Sequence, residues 1–342
     1  MKFHRVNNVI VRIPPDDHND DDYDGTKKTP AQMPEAARLL QQVLEANPPD
    51  PLDPQKRALP FQPRSYRDFM LFPAHYSGAA AGIMALSLEL SSWFSFLRPV
   101  LAWLTGFWTR LTGTVFPPFR PSGLYLTQPV FYQSNHLSVV SSGAPVVRPP
   151  YCKRYLDVEL ELGCVLGREL YNAASAAEAL AAVAGFCVLN DFSARDVQWA
   201  EMRSGLGPQL CKSFASSLSS EIVSADEVLP LLPVESPSAL GGGAAAGATV
   251  GKKTLTGRVV INERVVAECG VGREDWQFTL GEALMHASRG TRLYPGEFFG
   301  TGTLPGGAGI EHTAFEIQVG DTVRLEIDGV GSVTNVIVAE EK

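Results

Sequence analysis

Acids and apolar residues alternate without a break in Leu156-Asp157-Val158-Glu159-Leu160-Glu161-Leu162. As a strand, this segment puts Asp157, Glu159 and Glu161 on one face and the apolar side chains on the other. Like charges on one face repel unless a cation lies between them. Two carboxylates fixed two residues apart, joined by a third from elsewhere, suit Mg²⁺, Mn²⁺ or Ca²⁺, which prefer oxygen ligands. A solvent-facing edge strand whose acids discourage aggregation shows the same pattern, so alternation alone leaves both readings open.

Two further segments bear chemistry. In Gly185–Gln198 an apolar run passes into Asn190-Asp191-Phe192-Ser193-Ala194-Arg195-Asp196 and on to Gln198. Such strand ends commonly carry sites, although Asp191 or Ser193 is also a natural N-cap for the helix expected to hold Arg195 and Gln198. In Gly207–Phe214, Lys212 follows apolar residues, where burial beside a metal would make it a functional cation.

These residues need a scaffold, and from Ser122 onward the texture is β-rich, with short runs of Val, Ile, Leu and Phe between Gly and Pro turns. Strands are expected at Val139-Val140, Leu156–Val165, Ala184–Leu189, Arg258–Ile261, Arg264–Ala267 and Val323–Ile327, with a tight hairpin at Asn262-Glu263. Ala173–Val183 reads as a helix. Residues 1 to about 60 read as a peripheral arm with a helix over Ala31–Leu44, ending before Asn47-Pro48-Pro49. Gly241–Gly251 reads as a mobile Gly/Ala loop. The expected organisation is an N-terminal region, 1–121, and a catalytic domain, 122–342.

With 342 residues, 45% of them apolar, the chain can bury one large core or two unequal domains. A net charge of −8 without a dense Lys/Arg stripe argues against a nucleic-acid face but allows a small anionic substrate. Five cysteines, none at zinc-ligand spacing, read as reduced thiols, and the absence of a leader pattern in Met1–Pro15 makes the cytoplasm the expected compartment. Ile83–Trp108 is apolar enough to raise the question of a membrane span. Glu89, Arg98 and Pro99 interrupt it, which favours a buried or interface helix pair.

Taken in order, these motifs resemble the fumarylacetoacetate hydrolase family. They run from Asp157–Glu161 through Asn190–Asp196, Gly207-Pro208 and Lys212-Ser213-Phe214 to Leu293–Glu297 and Gly300–Thr303, with Tyr66-Arg67-Asp68-Phe69 and His75 upstream. The resemblance implies an α+β, β-rich fold built on a mixed β-roll, a homodimer, and a metal held by Glu159, Glu161 and Asp191, with Asp68 as a fourth ligand. It implies His75 as the base that activates water, with Glu316 the nearest positional match for its glutamate partner. Lys212 and Gln198 would support negative charge on the substrate, Arg195 would structure the carboxylate shell, and Tyr132 and Thr303 would meet the substrate. Met70 and Met202 stand where the family has substrate-contacting tyrosines. Methionine donates no hydrogen bond, so the pocket should favour a more apolar acyl chain. The implied activity is hydrolysis of a C–C bond in a 1,3-dicarbonyl oxo acid. A decarboxylase, isomerase or hydratase on the same site is the alternative, and a non-catalytic scaffold is a reading of another class.

Overall fold

Residues 1–6, 9–13, 33–90, 96–234, 253–312 and 316–340 are described in a computed structural model. The N-terminal part forms β1 (Lys2–Val6), β2 (Val9–Ile13), α1 (Glu35–Ala46), β3 (Ser65–Phe69), α2 (Pro73–Leu90), α3 (Leu97–Thr112), α4 (Gly123–Thr127), β4 (Phe131–Ser134), β5 (Val139–Ser141) and β6 (Pro145–Val147). The middle forms β7 (Leu156–Asp157), β8 (Glu159–Leu166), α5 (Ala176–Ala181), β9 (Val183–Asn190), β10 (Ser193–Ala194), α6 (Arg195–Arg203), α7 (Leu210–Ser213), β11 (Ser216–Leu218), β12 (Glu221–Ser224) and α8 (Ala225–Val228). The C-terminal part forms β13 (Leu255–Ile261), β14 (Arg264–Val271), α9 (Leu280–Ala287), β15 (Glu297–Ala308), β16 (Thr322–Ile327) and β17 (Gly331–Val338).

A mixed sheet carries the order β2-β1-β12-β9-β8-β15-β3-β4, with β11 and β5 branching from β9. A five-stranded sheet runs β14-β13-β16-β17-β6. Every residue of β8 and of β9 is buried, as expected of central strands covered on both faces. The expected hairpin joins β13 to β14, with Asn262 and Glu263 both at positive φ (49° and 66°), as a two-residue turn of this hand requires.

Three expectations need correction. The first sixty residues are not a peripheral arm: β1 pairs antiparallel with β12, Phe3 is buried, and α1 packs Ala37, Leu40 and Val43 into the same core as Phe298. Strands from both sides of the proposed division at 121/122 therefore share one sheet. The helix expected over Ala31–Leu44 is α1, displaced toward the C-terminus and entered through Pro34. The apolar stretch over 83–108 contributes to a helix pair, α2 and α3, but no residue of α3 is buried. Among the described residues no helix is long and apolar enough to cross a membrane. The Gly/Ala loop at 241–251 lies outside the described residues.

Candidate functional site

The acidic strand is not a solvated edge. β8 lies between β9 and β15, and Glu161 is buried there. Asp68 on β3 and Asp191 just beyond β9 bring the second and third carboxylates. One oxygen from each of Asp68, Glu161 and Asp191 lies within 4.8 Å of the others. β15 stands between β8 and β3, so this convergence depends on what faces the gap. Gly300 is in register with both Asp68 and Gly163, and a Cβ there would run into Asp68 Oδ1 and Glu161 Oε2. The missing side chain is what lets carboxylates two strands apart approach across the intervening strand.

Glu159 stands outside that trio because two cations hold it. Arg195 donates to Glu159 Oε1 at 2.7 Å and to Asp157 Oδ2 at 2.8 Å, while Lys212 Nζ donates to Glu159 Oε2 and to Asp191 Oδ2, the latter at 2.6 Å. Burial opposes ionisation of Glu159, but Lys212, Arg195 and His75 outweigh it and hold its carboxyl well below the usual carboxylate range. Burial likewise opposes the charge on Lys212, yet Asp191 and Glu159 keep the ammonium firmly protonated. A fixed positive charge thus sits at the edge of a cluster of negative ones.

That cluster is electrostatically frustrated. Desolvation first, then the neighbouring Asp191 charge, pushes Asp68 up to about 7. Glu161 is also raised, by burial and by Asp68, and Asp191 is raised by burial even against Lys212. Asp68 Oδ1 is buried with no hydrogen-bond partner. Converging carboxylate oxygens, one of them unpartnered, form a donor set that fits a hard divalent cation such as Mg²⁺, Mn²⁺ or Ca²⁺.

His75 is buried in the first turn of α2. Its Nε2 faces Glu159 Oε1 at 3.9 Å and its Nδ1 lies 3.2 Å from Glu311 Oε2. The Nδ1 contact is within ion-pair reach but not aligned as a hydrogen bond. Burial lowers the imidazole's basicity, while Glu311 and Glu159 raise it more, so the net shift is upward. Glu311, not Glu316, is therefore the partner of His75: Glu316 is exposed. Glu311 Oε2 is steadied by the backbone N–H groups of Gly306 (3.1 Å) and Ala308 (3.2 Å). Asp157 fixes the same turn by accepting from Gly309 and Ile310 N–H while bound to Arg195. No periodic pattern marks Glu311 in the sequence; its signal is only its place just after a glycine-rich strand.

The other expected residues divide. Tyr132 donates to Asp191 Oδ2 at 2.5 Å, Thr303 to Glu161 Oε1 at 3.2 Å, and the Gln198 carbonyl accepts from Arg195 at 2.8 Å. Met70 follows β3 directly and is half-buried, whereas Met202 is 46% exposed at the outer end of α6, one turn beyond Gln198. The expected N-cap by Asp191 or Ser193 does not form: α6 is entered through Ala194 without a side-chain cap. Asp191 is instead committed to Lys212, Tyr132 and Ser216.

Residues 120–338 match a family model described as fumarylacetoacetate (FAA) hydrolase C-terminal. The chain is 31% identical over 212 residues to a fumarylacetoacetase of Oryza sativa subsp. japonica, covering 55% of this chain and 48% of that protein. Over 92 residues it is 41% identical to a mitochondrial oxaloacetate tautomerase of Rattus norvegicus, covering 27% of this chain and 41% of that protein. It thus matches about half the length, or less, of these curated relatives. The solved fumarylpyruvate hydrolase of Pseudomonas aeruginosa, in complex with Mn²⁺ and pyruvate, shares the fold at a TM-score of 0.51 and 17% identity, covering 81% of this chain and 90% of that chain.

Proposed function

The chain belongs to the fumarylacetoacetate hydrolase family, and on that premise we propose that it is a divalent-metal-dependent enzyme hydrolysing a C–C bond in an acylpyruvate-like 1,3-dicarbonyl substrate. The observation that carries this reading is the juxtaposition of the Asp68–Glu161–Asp191 cluster with buried Lys212 on one side and the His75–Glu311 pair nearby. Asp68, Glu161 and Asp191 would hold the ion, with Glu159, the remaining ligand implied by the family, at its margin. When bound, a divalent cation supplies Lewis-acid polarisation of the dicarbonyl oxygens.

The protein's own groups would do the rest. His75 takes a proton from water, Glu311 keeps the ring oriented and favours the imidazolium that results, and the hydroxide adds to the distal carbonyl carbon. The C–C bond then breaks, its electron pair passing to the pyruvate-side carbon as an enolate. Lys212, held rigidly by Glu159 and Asp191, stabilises that negative charge, with Gln198 and Arg195 fixing the geometry around it. The proton that His75 took from water then passes to the enolate carbon, which restores the neutral imidazole and gives pyruvate beside the released carboxylic acid. Tyr132 and Thr303 line the substrate side of the carboxylates, and Met70 favours an apolar acyl group, whereas Met202, exposed at the outer end of α6, takes no part in that choice.

A second reading, tautomerisation or decarboxylation of oxaloacetate, rests on the tautomerase relative. It needs the same enolate stabilisation but no activated water. An assay of fumarylacetoacetate, acetylpyruvate and oxaloacetate with Mg²⁺ or Mn²⁺ separates the two. Hydrolysis of a diketone that is lost in His75→Ala supports the proposal. Oxaloacetate turnover indifferent to His75→Ala, with no diketone cleaved, replaces it with the second reading.

A further inference from the structure

The Trp/Phe-rich stretch takes no part in the site, and its geometry in α3 is inverted relative to an ordinary surface helix. Phe96, Val100, Trp103, Leu104, Phe107 and Leu111 recur at spacings of three and four, the signature of a single apolar stripe. A stripe of this kind normally faces the core. Here every member is exposed, from 39% for Leu104 to 70% for Leu111, and the Trp103 and Phe107 rings stack on one another at 5.4 Å. The neighbouring flank, with Leu97, Leu101 and Trp108 about a quarter turn away, is the partly buried one.

Charge identifies what this stripe meets. The chain has 37 Asp and Glu and a net charge of −8, yet between Glu89 and Asp157 there is no acid at all, only Arg98, Arg110, Arg120, Arg148, Lys153 and Arg154. Arg110 falls seven residues after Trp103, on the same side of the helix. Arg120 is exposed, its guanidinium 6.0 Å from the Trp108 ring centroid. Aromatic and aliphatic side chains flanked by cations alone, on a helix too short to span, describe a helix that lies in a membrane interface and is drawn to anionic headgroups.

We propose that α3 docks the protein onto an anionic lipid surface, burying the Trp103–Phe107 stripe at the headgroup–acyl boundary with Arg110 and Arg120 against the lipid phosphates. α3 packs on α2, whose first turn carries His75, so docking would hold the catalytic helix at a fixed height over the bilayer.

The test is sedimentation of the full-length chain with vesicles of phosphatidylcholine alone or containing about 30% phosphatidylserine. The wild type is expected to pellet with the anionic vesicles and to be released by raised salt. A Trp103→Glu/Phe107→Glu variant, with an unchanged melting temperature, should partition about tenfold less or weaker still. Arg110→Gln/Arg120→Gln should lose the preference for anionic over neutral vesicles. Retention of the wild type in the supernatant overturns the proposal, as does equal binding to neutral vesicles. It is also overturned if the protein ignores vesicles but self-associates in a way that Trp103→Glu/Phe107→Glu abolishes, since the stripe would then be covered by a second copy of the chain.

Discussion

Lys212 concentrates the energetics of the site in one side chain. Its ammonium is buried, and its two hydrogen-bonded carboxylates, Glu159 and Asp191, are buried with it. A methionine of similar volume would leave Asp191 without its cation and Glu159 with Arg195 alone. Removing one partner of a buried pair is far more costly than the net worth of the pair. Lys212→Met is therefore expected to lower stability by about 3 kcal/mol or more in urea unfolding of the metal-free protein, and to abolish turnover. A near-neutral unfolding free energy would show that the two acids find other partners. Glu311 is the other informative residue. Because it raises the His75 imidazole against the effect of burial, Glu311→Gln should let burial prevail and move the acidic limb of the kcat/KM profile to lower pH. The plateau should drop by about a hundredfold as orientation is lost. A limb that stays put would mean that His75 is not the titrating base.

At the level of elements, β15 makes the site possible by being interrupted. It is bonded on both sides, to β8 and to β3, yet its register with β8 shifts between Gly300 and Thr303 and again before Ala308, with Gly302 and Gly306 both at positive φ. These irregularities turn Thr303 onto Glu161 and lead into the turn that presents Glu311. Gly300→Ala is expected to weaken Mg²⁺ or Mn²⁺ binding by about two orders of magnitude in calorimetric titration, since the methyl group must displace the carboxylates it meets. Wild-type affinity in that variant would place the ion elsewhere. This scale also explains what could be read in advance. Glu161 and Asp191 were legible because strand alternation and a polar cluster after an apolar run are local patterns. Asp68 and His75 came only from motif order, since a single acid or histidine has no period. Glu311 was missed in favour of Glu316 because its position is set by backbone N–H groups and by Asp157, more than a hundred residues away. The N-terminal strands were misread as an arm for the same reason: β1 is short, and its partner β12 lies over two hundred residues along the chain.

For the whole molecule, the site is a source of strain that pH and metal should both modulate. Asp68 in the folded protein lies near 7, above the roughly 3.9 of an unfolded aspartate. The folded state therefore holds the proton more tightly, and the stability this contributes is complete below about pH 4 and lost as pH rises toward 7. Glu161, Asp191 and His75, also raised, act in the same direction. Glu159, lowered, acts oppositely, but its contribution is lost only below the ordinary carboxylate range. With chelator present, the protein should thus become less stable between pH 5 and about pH 7.5, and a saturating divalent cation should remove most of that slope by binding the ionised cluster. Equal slopes with and without metal, measured by urea denaturation, would disprove the link between the two.

The five cysteines give the same molecule a set of internal clocks. All are buried, at Cys152 before β7, Cys164 in β8, Cys187 in β9, Cys211 in α7 and Cys269 in β14. Burial raises each thiol, Cys152 to about 11, Cys211 and Cys269 to about 12, and Cys164 and Cys187 beyond that. A native thiol this reluctant to ionise hardly reacts with an alkylating reagent, so modification reports the moments when its own segment opens. The order in which the five are trapped would read out which parts of the framework breathe and which part, β8 and β9 beneath the carboxylates, opens last.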